Sequence, residues 1–155
     1  MTPYGKTAQY AIAAMSRLAE VYSENRRLSS GEIAEQRHLP RPIIAKVLTV
    51  LSQAGLVVGS PGPGGGYALS RPPAQITLYD VADQFDRLTE TISCPLGPTW
   101  CGNNAPCPLH EQLTALREQM IRFLQSTTLA AFVKPPQTSA SLGPKSLNLV
   151  EPPRQ

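Results

Sequence analysis

The chain contains no run of about 18 uninterrupted apolar residues, so no segment reads as a membrane-spanning helix. Its opening, Met1-Thr2-Pro3-Tyr4-Gly5-Lys6, lacks the apolar stretch of a secretion signal, and the expectation is a cytoplasmic protein with no membrane partner. Catalytic equipment is missing as well. We find no nucleophile with a base partner, no paired carboxylates in a plausible cleft, and no nucleotide-binding loop, because no Lys-Ser/Thr follows the glycine-rich segment. An enzyme is not expected. Cysteine is scarce: three residues, all between Cys94 and Cys107. A secreted disulfide framework shows an even number spread over the fold, whereas clustered thiols in a cytosolic chain point to a metal or redox role.

Excess charge is also small, +3 over 155 residues, but it is unevenly placed. Residues 1–71 hold eight Lys/Arg against four Asp/Glu (+4), and residues 72–133 hold three against six (−3). A basic half joined to an acidic one fits a phosphate-binding module attached to something else.

Tyr10, Ala11, Ala14, Met15, Leu18, Ala19 and Tyr22 recur at helical spacing and predict a first helix from about Lys6 to Ser23. Ser29 with Glu32 has the spacing of a capping box for a second helix running to Arg37, which the His38-Leu39-Pro40 tripeptide breaks. Pro42 suits a helix start, and Ile43, Ile44, Val47, Leu48 and Leu51 trace a third helix to Gly55. Two strand-like runs follow, Leu56-Val57-Val58 and Tyr67-Ala68-Leu69, separated by Gly59 to Gly66. The order is that of a winged helix-turn-helix, a mainly helical fold with a small β-hairpin wing. Thr77 with Asp80 caps a further short helix. Residues 91–108, with Pro95, Gly97, Pro98, Gly102 and Pro106, read as a loop carrying all three cysteines. Leu109, Leu113, Leu116, Met120 and Phe123 then step by four, three, four and three, the seam of a long helix that pairs with a twin. The expected division is a DNA-binding domain over 1–75, a cysteine loop and dimerisation helix over 76–133, and a disordered proline-rich tail over 134–155.

A helix that enters the major groove reads DNA with the residues on its outward face near the N-terminus. On the third helix these are Arg41, Pro42, Ala45, Lys46 and Thr49, away from the Ile44, Val47, Leu48 and Leu51 face. Gly64, Gly65 and Gly66 let the wing backbone approach phosphates or the minor groove closely. From periodicity alone, the same positions equally fit the solvated surface of an ordinary three-helix domain.

At the cysteines, three chemistries stay open on spacing. Cys94, Cys101 and Cys107, with His110 one helical step after Cys107, could hold an iron–sulfur cluster or zinc, or act as redox thiols. Structural zinc normally shows a Cys-x2–4-Cys knuckle, which is absent. Pro108 places Cys107 near a helix N-terminus, whose partial positive charge favours the thiolate.

Lys6, Tyr10-Ala11, Ala13-Ala14-Met15, the run Leu51-Ser52-Gln53-Ala54-Gly55-Leu56-Val57, the wing Gly62-Pro63-Gly64-Gly65-Gly66-Tyr67 and the cysteine trio together resemble the iron–sulfur cluster-binding winged-helix regulators of the IscR/NsrR/RirA family, over about residues 1–133. The resemblance implies a homodimeric transcription regulator on double-stranded DNA at a palindromic operator, controlled by a cluster on Cys94, Cys101 and Cys107. His110 matches the histidine ligand of the IscR-like branch, which implies 2Fe-2S. In some relatives an acidic residue of the first helix completes a 4Fe-4S cluster; here Gln9, a poor ligand, stands there. Pro61 departs from the family pattern, which has a basic residue before the wing glycines, and shifts DNA affinity toward the third helix. The alternatives are a cluster-free thiol or zinc regulator, and a cluster-carrying protein-interaction module.

Overall fold

Alanine and leucine at three- and four-residue spacing make Lys6–Glu20 a helix, α1, whose Ala11, Ala14, Met15 and Leu18 are fully buried. The computed structural model describes residues 4–88 and 108–133. Cys94, Cys101 and Cys107, and the tail over 134–155, lie outside the described residues. The first helix stops sooner than its apolar spacing suggests, because Tyr22–Glu24 tightens into a 3-10 turn and Asn25 adopts a left-handed conformation (φ 52°). Asparagine accepts that geometry more readily than most residues, and a helix cannot pass through it.

Ser29 and Glu32 form the expected capping box on α2 (Ser30–Arg37): the Glu32 amide donates to Ser29 Oγ at 3.2 Å and the Ser29 amide to Glu32 Oε2 at 2.8 Å. After His38, left-handed at φ 53°, the chain turns into α3 (Arg41–Gln53), which buries Ile44, Val47, Leu48 and Leu51. Helix α3 ends at Gln53, and Gly55 (φ 74°) makes the reversal into the hairpin. Strands β1 (Val57–Ser60) and β2 (Gly66–Leu69) pair antiparallel with Val58 opposite Ala68. The pairing continues into Gly59, Ser60 and Gly66, so the irregular tip is shorter than the sequence implies.

Leu28 also pairs with Tyr67, so the segment entering α2 forms a third, single-residue rung of the wing sheet. Thr77 and Asp80 cap the short α4 (Leu78–Ala82) in a second capping box. Helix α5 (His110–Ser126) follows, and the chain then returns: Thr128 pairs with Thr77, and the Leu129 amide donates to the Ile76 carbonyl at 2.9 Å. One hydrophobic core joins α1, α2, α3 and the hairpin with Ile76, Leu78, Val81, Leu124 and Leu129. Among the described residues no helix is long and apolar enough to cross a membrane.

Candidate nucleic-acid interface

Burying Ile44, Val47, Leu48 and Leu51 turns the opposite side of α3 outward. Arg41, Pro42, Lys46 and Thr49 are exposed there and Ala45 is half-buried, so the five positions expected from the sequence share one accessible face. Thr49 Oγ1 donates to the Ala45 carbonyl at 2.9 Å, which commits its proton to the helix and leaves the methyl group free to meet a neighbour. The Arg41 side chain lies across the first turn of α2: a Cβ added to Gly31 would stand 3.3 Å from Arg41 Cζ and 3.4 Å from Nε.

The wing tip closes when the Gly65 amide donates to the Gly62 carbonyl at 3.0 Å. Gly64 is exposed at that tip, and Gly65 and Gly66 are half-buried behind it. A Cβ on Gly65 would overlap the Ser60 carbonyl oxygen, and one on Gly66 (φ 134°) would come within 2.7 Å of the Leu28 carbonyl group. The last two wing glycines are therefore required by close backbone packing, Gly65 within the tip itself and Gly66 against Leu28 where the ladder meets the tip. The Gly66 contact sets the wing against the segment that caps α2, the helix whose first turn Arg41 lies across.

Half-buried ion pairs join α1 to α2, the two helices on which α3 packs. Glu20 of α1 accepts from Arg37 of α2 at 2.7 Å and from Arg17 at 2.9 Å. Arg37 also donates to Ser16 Oγ at 2.9 Å and to the Ala13 carbonyl at 3.3 Å. Burial pushes the Glu20 carboxyl up, but the two guanidiniums together outweigh it and hold the group below its ordinary value.

At the other candidate site, His110 is the first residue of α5 and half-buried. Among the described residues no three His, Cys, Asp or Glu side chains gather into a metal site. Two contacts fix the segment leading toward the cysteines. Asp86 accepts a hydrogen bond from the Gly5 amide at the start of α1, and Arg117 of α5 donates to the Leu88 carbonyl. Neither contact is legible in the sequence, since Asp86 and Gly5 are 81 residues apart.

Along α5 the expected seam divides. Leu109, Leu116 and Phe123, seven residues apart, are 44%, 60% and 52% exposed. Leu113 and Met120 are half-buried, with Met120 against the core. Leu124, outside the seam, is the side chain that anchors the helix, at 1% exposure.

Residues 4–135 match the family described as Rrf2, iron-dependent transcriptional regulator. The chain belongs to the Rrf2 family. A helix-turn-helix transcriptional regulator of Aquifex aeolicus (strain VF5), so described, is 34% identical over 128 residues, covering 81% of this chain and 88% of the relative. The transcriptional regulator IscR of Cronobacter sakazakii is 28% identical over 125 residues, covering 81% and 76%. Among solved structures, IscR of T. potens superposes with a TM-score of 0.65 at 25% identity, covering 81% of this chain and 82% of that one. CymR of B. subtilis shares the fold, with a TM-score of 0.70 at 24% identity and coverage of 84% and 95%. These relatives are regulators rather than enzymes, and this Rrf2 chain is a DNA-binding transcription regulator with a winged-helix fold.

Proposed function

We propose that this Rrf2 regulator acts as a homodimer that reads a palindromic DNA site with α3 and the wing, and that an iron–sulfur cluster on Cys94, Cys101, Cys107 and His110 controls its affinity. The observation that carries the DNA reading is the outward face of α3, with Arg41, Pro42, Ala45, Lys46 and Thr49, together with a wing that Gly66 packs against the α2 cap. Its phosphate and base contacts come from that face, and the Gly64 tip approaches the duplex backbone. DNA binding is assigned to residues 1–75, cluster binding and dimerisation to 76–133, and no role to the tail over 134–155.

The exposed stripe of Leu109, Leu116 and Phe123 supports dimerisation, because a seven-residue apolar repeat on a long helix favours a second helix over water. Two copies then present α3 to half-sites about one DNA turn apart. Three thiols and an imidazole fit an iron–sulfur core in kind, and the family's description as iron-dependent agrees. Such a core, when bound, supplies a redox-active and chemically labile centre. The protein's own part is to supply the ligands and to tie their segment to α5 through Arg117 and to α1 through Asp86. A change at the cysteines thereby biases how the DNA-binding halves sit. We favour 2Fe-2S, because His110 opens α5 three residues after Cys107 in sequence, while the Gln9 amide donates to the Tyr4 carbonyl at 3.5 Å.

Anaerobically prepared protein should be coloured, contain iron and sulfide, and bind a promoter duplex with an affinity that changes when the cluster is lost. Cys101→Ala should abolish the visible absorbance and leave a folded dimer. Retained absorbance with a retained response contradicts the cluster assignment. Colourless protein that still binds DNA selects the thiol or zinc regulator, and coloured protein without salt-dependent DNA affinity selects the interaction module.

A further inference from the structure

The wing brings no cation of its own to DNA: from Val57 to Leu69 there is neither Lys nor Arg. A hairpin lying against a polyanion gains most of its sequence-independent affinity from cations that displace condensed counterions. The fold brings such cations to the hairpin from the segment before α2. Leu28 exchanges both backbone hydrogen bonds with Tyr67 of β2, at 3.0 and 2.8 Å, which brings the preceding residue, Arg27, beside the sheet, with Arg26 next to it in the chain. Arg27 donates from Nη1 to the Val58 carbonyl of β1 at 3.3 Å, and the residue remains exposed. A guanidinium has five N–H donors, so this bond positions the group without exhausting it. Arg26 is half-exposed and meets Glu32 at 3.7 Å, a surface pair weak enough to yield to a phosphate.

These observations form a continuous edge. Arg41 lies on the first turn of α2, Gly66 packs on Leu28 just ahead of that turn, and Arg27 reaches from Leu28's neighbour to β1. We propose that Arg26 and Arg27 are the wing's phosphate contacts, borrowed from the α1–α2 connection and fixed to the hairpin by the Leu28–Tyr67 pair. The proposal rests on the DNA-binding reading and adds a cationic track running from α3 past the α2 cap to the wing. The ligand is the sugar-phosphate backbone, so the contact is indifferent to base sequence.

The test uses the full-length protein and a mixed-sequence 30-base-pair duplex (about three helical turns), with affinity measured across a salt series. Arg26→Ala and Arg27→Ala should each weaken binding about three- to tenfold and lower the slope of log affinity against log salt by about 0.9 for each subunit bound, with the double variant roughly additive. Arg122→Ala, the same charge change on α5, should leave the slope unaltered, and Arg27→Lys should restore it. Circular dichroism and a melting curve confirm that each variant is folded. A double variant with unchanged slope overturns the proposal even if affinity falls, because that result reports a distorted wing. Failure of the unmodified protein to bind the duplex at all overturns the DNA-binding reading itself.

Discussion

Leu28 and Tyr67 exchange two backbone hydrogen bonds, at 3.0 and 2.8 Å, across the junction between the α2 cap and the wing. Gly66 makes the exchange feasible, since any Cβ there would press on the Leu28 carbonyl group at 2.7 Å and its φ is 134°. Gly66→Ala should therefore cost about 2–3 kcal/mol, combining backbone strain with the displaced pairing. A lowered melting temperature with DNA affinity reduced at least as much as in a wing-tip Gly64→Ala variant is the expected result. A variant with unchanged melting and binding would contradict it.

Two leucines of α5 should respond in opposite ways. Leu124, 1% exposed, belongs to the core, and Leu124→Ala should destabilise the fold by about 2–5 kcal/mol. Leu116 is 60% exposed, and Leu116→Ser should leave each subunit's fold intact while weakening self-association. Sedimentation velocity over a concentration series, paired with thermal unfolding, separates the two effects.

Acid should loosen the α1–α2 junction through Glu20. Burial raises its carboxyl, but Arg37 and Arg17 outweigh that and hold it below the ordinary glutamate value. A depressed carboxylate contributes stability that is complete above the unfolded-state value and lost as pH falls through the lower folded value. Glu20→Gln should thus be less stable than the parent at neutral pH, by about 0.5–1 kcal/mol as for other partly exposed pairs. The difference should close below pH 4.5, as denaturant titrations at several pH values will show.

At the turn between α2 and α3, His38 occupies a left-handed conformation (φ 53°) that suits glycine. His38→Gly should raise stability by about 0.5–1 kcal/mol, the relief of that strain less the extra entropy of the unfolded chain. Chemical denaturation midpoints give the comparison, and a fall in stability would show that the imidazole makes a compensating contact.

Much of the fold was written in short-range patterns. The Ser29–Glu32 and Thr77–Asp80 spacings correspond to real capping boxes, because a cap is a contact between residues three apart. The outward face of α3 was equally legible, being the complement of four buried residues on a regular helix. What escaped was pairing at a distance. Leu28 is a single rung of the sheet with no alternation around it to announce a strand, and the Asp86–Gly5 contact depends on where two remote segments meet. The heptad pattern located α5 but not its orientation: Leu124, one residue beyond the seam, is fully buried, while the seam's Met120 only packs against the core's edge. Of the four residues proposed as cluster ligands only His110 falls within the described residues, where it is the first residue of α5.

The contact between Arg117 and Leu88 has a thermodynamic corollary. Leu88 enters the stretch 89–107, and Pro108 leaves it just ahead of α5, the same helix that carries Arg117. The described residues on either side of that stretch are thus tethered to one helix, a few turns apart at most. Closing a free loop of this length costs on the order of 2–3 kcal/mol in chain entropy. Folding has already met much of that cost in bringing Leu88 onto α5, so the cluster proposed for Cys94, Cys101 and Cys107 would be bound by a stretch whose two ends are already fixed, and severing the Arg117 tether would return the entropic cost to the binding step.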